Sequence, residues 1–254
     1  MKVAILGSGS KGNSTYIETE KYKILIDLGL SVKYINSKLK TLNTGVDEID
    51  YILITHLHND HIKSLTNFSK ERKTQICITP NMYKSLKKVN DNLRYFIYED
   101  KIVLNDLIID IINTSHDSVD SRGFLITENK SSLVYITDTG YLNKKYLSLL
   151  ANKNMYIMES NHDPKILREG KYPLWLQRRI LSSEGHLCNE DAATYLAKLI
   201  GKNTKKVILA HLSKENNTEE VALNTFFTKM TKNNIKFKNV CCAKQDEMSE
   251  VIII

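Results

Sequence analysis

The sequence predicts an α/β protein in which mixed β-sheets are covered by helices. Short apolar runs rich in β-branched residues, separated by turn residues, dominate the first half. In the second half such runs alternate with segments of helical periodicity. The chain has 254 residues, of which 42% are hydrophobic and 26% charged, and no linker or internal repeat is visible. We therefore predict a single domain over residues 1–254.

Each element is predicted from an apolar run or from a helical repeat between turn residues. The strands predicted in the first half are Lys2–Leu6, Thr15–Glu18, Lys23–Ile26, Ile49–Ile54, Gln75–Thr79, Leu93–Ile97, Leu107–Ile112, Gly123–Thr127 and Leu133–Thr137. The helices predicted between them are 31–42, 61–70, 81–89 and 143–151. This succession favours sheets whose strands are both parallel and antiparallel.

The second half is predicted to alternate more regularly between strands and helices. Its elements are the strands Met155–Glu159 and Lys206–Ala210, the helices 174–182, 189–200 and 218–232, and an end strand. Helix 189–200 has a start signal, because Asn189 can cap it and two acidic residues follow. Gly201 marks its end.

Composition excludes several classes of protein. The longest apolar runs are far shorter than the roughly 20 residues that a membrane span needs, and no signal segment begins the chain, so we expect a soluble cytoplasmic protein without a membrane partner. The four cysteines form no CxxC pair, so reduced thiols are expected. The net charge of +7 is compatible with a polyanionic partner, and the oligomeric state stays open.

Three of the seven histidines lie in one short segment, Thr55–His61, which reads Thr-His-Leu-His-Asn-Asp-His. The segment directly follows a strand that is predicted to be buried, and ligand sites of α/β folds lie at such strand ends. Imidazole and carboxylate groups are ligands for zinc, manganese and iron. His56, His58, Asp60 and His61 are therefore candidate metal ligands.

Three later residues also stand just past predicted strands, namely His116, Asp138 and His211. Taken alone, each has an ordinary interpretation as a capping, surface or turn residue. Together with the histidine segment they predict a metal site, because successive elements deliver ligands to strand ends.

This order of motifs, HxHxDH followed by His, Asp and His, resembles the metallo-β-lactamase superfamily. The resemblance implies a four-layer αβ/βα sandwich and two divalent metal ions, which are Zn²⁺, Mn²⁺ or Fe²⁺. The ligands that it implies are His56, His58 and His116 for one metal, Asp60, His61 and His211 for the other, and Asp138 as a bridge. Aspartate at 138, where true class B β-lactamases carry cysteine, argues against β-lactamase activity. Histidine at 58, where flavodiiron oxidoreductases carry glutamate, argues against redox chemistry.

Further runs of sequence resemble one subfamily, the YycJ/WalJ-type metal-dependent DNA exonucleases. The runs are Gly7–Ser14, Asp138–Tyr141, Glu159–Asp163, Gly185–Leu187 and Ala210–Asn217, and the resemblance extends from residue 3 to about residue 245. Two positions depart from the pattern. Ser64 stands where a glycine is common, and Cys188 stands where a serine usually continues the Gly-His-Leu motif.

Two histidines remain outside the implied ligand set. The segment from Gly185 is similar to a Gly-His segment of ribonuclease Z, which implies that His186 contacts or protonates the phosphodiester and that Glu159 orients it. A helix-capping role is the alternative for His186. For His162, a substrate contact and a structural partnership with Asp163 are both open.

Two loops are expected to support the implied metal site. Asp27 ends a predicted strand and is expected to orient a metal-bound histidine by a hydrogen bond, with an ordinary turn as the alternative. Gly7–Asn13 lacks the spacing of a dinucleotide-binding loop. It is predicted to be a strand-to-strand turn whose backbone approaches the metal centre.

A basic segment precedes His186. The window 165–179 holds five basic residues and one acidic residue; the basic ones are Lys165, Arg168, Lys171, Arg178 and Arg179. A patch that grips a nucleic-acid backbone is the functional interpretation, and a solvated helix face is the alternative. Tyr172 and Trp175 lie among these cations and either stack on a base or pack into the core.

The candidate metal ligands predict a metal-dependent phosphodiesterase that acts through a two-metal-activated hydroxide, and the resemblance implies a 5′-3′ exonuclease that acts on double-stranded DNA. Asp60, His186 and Glu159 are the predicted catalytic residues, and His162 and the basic residues 168, 171, 178 and 179 the predicted substrate-binding ones. The alternatives are a small-substrate hydrolase (a cyclic phosphodiesterase or a glyoxalase II-like thiolesterase), a ribonuclease, and a nucleic-acid-binding protein with a structural metal.

Overall fold

The computed structural model describes residues 1–69, 73–87 and 93–254. These residues form two compact units, each made of several chain segments. The first unit contains Met1–Ile111, Ser118–Arg122 and Lys244–Ile253, and the second contains Ile112–Asp117, Gly123–Ala243 and Ile254. The prediction of one domain over the whole chain stays a prediction.

Among the described residues, the first sheet has seven strands in the order β14-β1-β2-β3-β4-β5-β6. Its strands are β1 (Lys2–Gly7), β2 (Ser14–Glu18), β3 (Lys23–Ile26), β4 (Tyr51–Leu53), β5 (Gln75–Ile78), β6 (Tyr95–Ile97) and β14 (Ile252–Ile253). The first unit also holds α1 (Val32–Thr41), α2 (Asn59–Ile62), α3 (Leu65–Ser69), α4 (Pro80–Lys87) and a 3₁₀ turn at Val46–Glu48. β3 to β6 are parallel, whereas β14, β1, β2 and β3 pair antiparallel.

The second sheet also has seven strands within the described ranges, in the order β13-β12-β11-β10-β9-β8-β7. These are β7 (Lys101–Leu104), β8 (Leu107–Asn113), β9 (Arg122–Glu128), β10 (Ser131–Ile136), β11 (Met155–Glu159), β12 (Lys206–Ala210) and β13 (Val240–Cys242). The helices of the second unit are α5 (Leu147–Leu150), α6 (Pro164–Glu169), α7 (Leu174–Ile180), α8 (Asn189–Leu199) and α9 (Glu219–Lys232), with a 3₁₀ turn at Lys144–Tyr146. β10 to β13 are parallel, and the pairs β7–β8 and β9–β10 are antiparallel.

Each unit has its own apolar core, into which helices place residues spaced one turn apart. In the first core α1 contributes Ile35 and Leu39, which are fully buried. In the second core α9 contributes Ala222, Phe226 and Met230 at intervals of four residues. The two mixed sheets flanked by helices confirm the predicted α/β class.

Each predicted strand has a counterpart, but β7, α6 and one of the two short strands β13 and β14 were not predicted. β7 and β8 form a hairpin in which Leu104 pairs with Leu107, and Asn105, which has a left-handed conformation, forms the two-residue turn together with Asp106. α6 begins at Pro164 after Asp163, whose Oδ1 accepts from the N–H groups of Lys165 and Ile166. Both turn signals were in the sequence, since Asn favours a positive φ and an Asp-Pro pair favours a helix start.

Predicted helix ends differ in several places. Helix 61–70 is replaced by α2 and α3, helix 81–89 by α4, and helix 143–151 by the 3₁₀ turn and α5; residues 70, 88 and 89 lie outside the described ranges. The predicted cap of α8 is wrong by one residue. Cys188 is the N-cap, and its Sγ accepts from the N–H of Asp191 at 3.5 Å. Asn189 is buried instead and hydrogen-bonds to Ser160 and Asn217.

Two expectations from composition can be compared with the structure. No disulfide joins the four cysteines, all of which lie in described ranges. None of the described helices combines the length and the apolar character that crossing a bilayer requires.

Candidate functional site

The histidine segment lies at the carboxyl end of β4 in the first unit. His56 and His61 are fully buried and their ring centroids lie 4.1 Å apart, while the rings of His56 and His58 lie 4.7 Å apart. β4 is parallel to β3 and β5, so its carboxyl end meets the same sheet edge as the end of β3. Three imidazoles are therefore held within a few ångströms of one another.

Asp27, at the end of β3, fixes the orientation of His61. Its Oδ2 lies 2.7 Å from Nδ1 of His61, and the same carboxylate accepts from the N–H and the hydroxyl of Thr55, both at 2.8 Å. Burial raises the pKa of the Asp27 carboxyl, and these hydrogen bonds oppose that rise. The expected contact between Asp27 and a histidine is therefore present.

Thr55 extends this arrangement to His56. Because its hydroxyl donates to Asp27, the oxygen can accept from Nδ1 of His56, which lies 3.0 Å away. With Nδ1 engaged in both His56 and His61, Nε2 is the lone-pair atom of each ring. This pattern, in which a carboxylate or hydroxyl holds one nitrogen, is typical of metal-binding histidines.

The turn Gly7–Asn13 joins β1 to β2 and contacts the histidine segment, which confirms it as a strand-to-strand turn. The N–H of Asn13 donates to the carbonyl of Asp60 at 2.8 Å. The Asn13 Nδ2 lies 3.0 Å from Nε2 of His61 and 3.5 Å from Oδ2 of Asp60. A metal held by His61 would use the lone pair on Nε2, which the Asn13 amide faces. The Asn13 side chain would then have to move.

Gly29 allows the Asp27 loop to pass close to the backbone of Asp60. A Cβ at residue 29 would lie 1.6 Å from the Asp60 carbonyl oxygen, a separation that no side chain can adopt. We therefore expect Gly29→Ala to lower the free energy of unfolding by about 3 kcal/mol. The melting temperature should fall by roughly 6 to 12 °C.

Gly45→Ala is the matched control, because a Cβ there meets no atom closer than 3.7 Å. Calorimetry of the two variants checks the expectation. Equal melting temperatures for both variants would show that the loop at residues 27–29 yields at little cost.

In the second unit, ligand-type side chains follow three parallel strands. Asp138, Glu159, His186 and His211 each offer one atom within a cluster whose members all lie within 4.8 Å of one another. Asp138 follows β10, Glu159 is the last residue of β11, and His211 follows β12. Two imidazoles and two carboxylates form a nitrogen and oxygen donor set that suits a divalent transition metal.

Glu159 is fully buried at the centre of this cluster. Its Oε1 lies 2.7 Å from Nδ1 of His186 and 3.0 Å from Nδ1 of His211. Its Oε2 accepts from the N–H groups of Thr139 and Leu187 at 2.9 and 3.1 Å. Although burial opposes ionisation, the two histidines hold the pKa of Glu159 below its ordinary value.

His116 follows β8 and is also held through one nitrogen. Its Nδ1 lies 3.0 Å from the carbonyl of Gly185, and its ring centroid lies 5.0 Å from that of His186. Burial lowers the pKa of His116, which favours the neutral ring. Neutral imidazole is the form that binds metal.

Three of these residues have left-handed backbone conformations. The φ angles are 63° at Asp27, 53° at Asp138 and 55° at His211. Each follows the last residue of a strand within two positions. Left-handed conformations of non-glycine residues are uncommon, and they cluster at functional sites.

His162 lies in the same unit but does not reach the surface. It is 1% exposed, and neither ring nitrogen has a hydrogen-bond partner among the described residues. Burial lowers its pKa to about 4. Its expected partner Asp163 instead caps α6, and in the described part of the chain no hydrogen bond joins the two side chains. The predicted substrate contact stays a prediction.

The basic segment lies on α6, α7 and the loop between them. Arg168, Lys171 and Arg178 are exposed. Arg179 is held in a two-pronged ion pair with Asp117, with one N–O distance of 3.0 Å. Trp175 is 68% exposed, so the core-packing alternative for it is wrong. Tyr172 is half-buried.

Sequence reasoning missed the amides that support the loop of His211. Asn161 Nδ2 donates to the carbonyl of His211 at 2.9 Å. Asn217 Nδ2 lies 2.9 Å from the carbonyl of Ser160 and 3.1 Å from that of Asn161. Both amides are buried. The available signal was a run of polar residues, Ser160–Asp163, directly after a strand that is apolar and buried.

Comparison with known proteins places the chain in a family. The family described as Beta-lactamase superfamily domain matches residues 22–212. Exodeoxyribonuclease WalJ of Streptococcus pneumoniae serotype 2 is 38% identical over 228 residues, which cover 87% of this chain and 85% of that protein. Exodeoxyribonuclease YycJ of Bacillus anthracis is 35% identical over 224 residues, covering 86% and 85%.

Among solved structures, the metallo-beta-lactamase fold protein YhfI from Bacillus subtilis aligns with a TM-score of 0.74 at 16% identity. The alignment covers 98% of both chains, so the two proteins share a fold. Together with the clustered histidine and aspartate donors, the family match indicates use of a divalent metal. The chain belongs to the β-lactamase superfamily and, within it, to the family of the exodeoxyribonucleases WalJ and YycJ.

Proposed function

We propose that this protein is a metal-dependent exonuclease that removes nucleotides from the 5′ end of double-stranded DNA. The observation that carries the proposal is the similarity to two proteins named exodeoxyribonuclease, at 35% and 38% identity over 85% of their lengths. The donor atoms in each unit support it, because they suit metal-assisted hydrolysis of a phosphodiester.

Two divalent ions, Zn²⁺, Mn²⁺ or Fe²⁺, are proposed as the cofactors. One would be held by His56, His58 and His116, the other by Asp60, His61 and His211, with Asp138 shared. Ligands of this kind accept all three metals. When bound, the ions would lower the pKa of a water molecule and polarise the phosphoryl oxygens.

The protein's own side chains would then position and protonate the reacting groups. Asp60 accepts a hydrogen bond from the attacking water and aligns it with the phosphorus. His186 donates a proton from Nε2 to the leaving 3′ oxygen as the P–O3′ bond breaks. The contact between its Nδ1 and Glu159 at 2.7 Å supports this role, because it leaves Nε2 as the nitrogen that could donate to a substrate.

Metal binding can be measured without activity. We expect Zn²⁺ at 100 times its dissociation constant to stabilise the metal-stripped protein by about 2.7 kcal/mol. That corresponds to a rise in melting temperature of roughly 5 to 11 °C. Native mass spectrometry should count two ions per chain, and His56→Ala should reduce both the count and the thermal shift.

The control is Asp106→Asn. This change affects a surface carboxylate whose one ion-pair partner in the described part of the chain is the exposed Lys21. It should keep the wild-type shift. A melting temperature that does not respond to Zn²⁺, Mn²⁺ or Fe²⁺ would contradict the metal proposal.

The substrate is tested by digestion of end-labelled duplex DNA after each metal is resupplied. Stepwise loss of nucleotides from the 5′ end supports the proposal, and release from the 3′ end would reverse the polarity. RNA of matched length tests the ribonuclease alternative. If the DNA stays intact while cyclic phosphodiesters or thiolesters are turned over, the protein is a small-substrate hydrolase and the nuclease proposal is wrong.

A further inference from the structure

Two large apolar side chains lie on the surface at the start of α7. Trp175 is 68% exposed and Leu174 is 69% exposed. Trp175 is also the sole tryptophan among the 254 residues. Most scattered apolar residues on a surface need no explanation, but an exposed tryptophan beside an exposed leucine marks a contact surface for a ligand or partner.

Positive charge surrounds this apolar pair. Arg178 lies one helical turn from both residues and is exposed, so it shares their face of α7. Arg168 and Lys171, just before the helix, are exposed too. In the ranges 1–69, 73–87 and 93–254, no carboxylate lies within ion-pair distance of these three cations. The surface therefore combines an aromatic ring with three cations that form no ion pair within the described ranges.

The apolar pair is fixed relative to the proposed catalytic residues of the same unit. The carbonyl of Ile180, at the end of α7, accepts from the N–H of His186 at 3.0 Å. Arg179 is bound to Asp117, which follows His116. Trp175 lies five residues before Ile180, or about 8 Å along the helix axis. This rise, from Trp175 to the residue whose carbonyl contacts His186, equals roughly two to three stacked bases at 3.4 Å each.

We propose that Trp175, supported by Leu174, stacks on the terminal base of a DNA end while Arg168, Lys171 and Arg178 bind the phosphates next to it. This inference rests on the function proposed above. Charge decides the occupant, because a second copy of this chain would bring the same cations against one another, whereas a polyanion neutralises them. An aromatic ring accepts any base, since every base has a π-face.

A flat aromatic surface of this kind can select DNA ends. Within an intact duplex each base is stacked on both sides, so its face is inaccessible unless the base is unstacked at a cost of a few kcal/mol. At an end, the outer face of the last base is open. Trp175 would then favour a terminus over internal duplex without reading the sequence.

Tryptophan fluorescence tests this directly, because all tryptophan emission comes from Trp175. The inactive Asp60→Asn protein is titrated, both metal-stripped and supplied with Zn²⁺, with a linear blunt-ended duplex or with the same sequence as a covalently closed circle. We expect the linear duplex to quench the emission and the circle to leave it unchanged. Equal quenching by the linear duplex and the circle would overturn the inference. It would also be overturned if neither DNA quenched the emission, with or without Zn²⁺.

Variants in the otherwise wild-type protein give a second readout. Trp175→Ala should raise KM for linear DNA about 5- to 150-fold with kcat little changed, and Trp175→Phe should recover most of the loss. Leu149→Ala removes another exposed apolar side chain (40%), on α5, and should keep the wild-type KM. An unchanged KM in Trp175→Ala would contradict end stacking.

The outcomes separate this inference from the proposed function. If wild-type protein digests DNA while Trp175 emission and the KM of Trp175→Ala stay unchanged, the function stands and the stacking site is wrong. If wild-type protein digests no DNA with any metal, the proposed exonuclease function is wrong, whatever the Trp175 emission shows. Emission that depends on protein concentration rather than on DNA would assign the surface to contact between copies and overturn the inference.

Discussion

Replacing Asp60 with asparagine is expected to abolish nearly all turnover, by about 10⁴-fold, while the fold stays intact. The carboxylate supplies the negative charge that a metal ligand and a water-positioning group both need, and the isosteric amide lacks it. The backbone contact of this residue is kept in the variant, since the carbonyl of Asp60 accepts from the N–H of Asn13 at 2.8 Å, and an asparagine Oδ1 can still accept from the Asn13 amide that lies 3.5 Å from Oδ2 of Asp60. Folding and chemistry should therefore separate at this position.

The measurements are kcat on linear duplex DNA and the melting temperature of the metal-stripped protein. Asp106→Asn makes the same chemical change at a side chain that is 63% exposed, and it should alter neither quantity. Turnover within tenfold of wild type in Asp60→Asn would remove Asp60 from the proposed mechanism.

Glu159→Gln is expected to lower kcat by about 10² to 10⁴-fold and the free energy of unfolding by about 3 to 5 kcal/mol. The glutamine oxygen can still accept from the N–H groups of Thr139 and Leu187. The NH₂ group of the glutamine would then face the ring nitrogens of His186 and His211. Those rings now share one carboxylate oxygen at 2.7 and 3.0 Å. Both histidines would lose the anion that sets their orientation.

The stability difference should also depend on pH in one direction. The pKa of folded Glu159 lies below its ordinary value of 4.5, so its ionised form stabilises the fold above that pH. The advantage of wild type over Glu159→Gln should be complete at neutral pH. It should shrink as the pH falls below about 4.5, toward the pKa of the folded state.

Denaturation in urea at several pH values measures this difference. Glu190→Gln is the control, because Glu190 is 71% exposed and pairs at the surface with Lys229 at 3.4 Å. Its effect should stay below about 1 kcal/mol. A Glu159→Gln protein with wild-type stability and kcat would show that the buried carboxylate is dispensable.

Much of the fold and of the candidate site was predictable because local signals agreed with the tertiary structure. The histidine segment follows a buried strand, so its chemistry and its place at the sheet edge are both readable from the order of residues. The pairing of Glu159 with His186 was expected from family resemblance alone. The contact is present at 2.7 Å, and the catalytic role stays a prediction.

What the sequence could not supply were contacts between residues that are far apart in the chain. No periodicity distinguishes an exposed Trp175 from a buried one, because α7 is a helix of only seven residues. The shared use of Glu159 by His186 and His211 likewise depends on the parallel pairing of β11 with β12. The burial of both His162 ring nitrogens with no hydrogen-bond partner among the described residues is a property of packing, and no hydrogen bond there supports the alternative in which Asp163 is the partner.

The left-handed conformations of Asp27, Asp138 and His211 limit how these positions can change by mutation. Asparagine, aspartate, histidine and glycine adopt a positive φ most readily, whereas β-branched residues do so at considerable cost. Each position must therefore satisfy a backbone requirement and a chemical requirement at once. In a library randomised at these three codons, few amino acids can meet both. Selection for activity should return the present residues almost alone, whereas selection for folding should also admit asparagine and glycine.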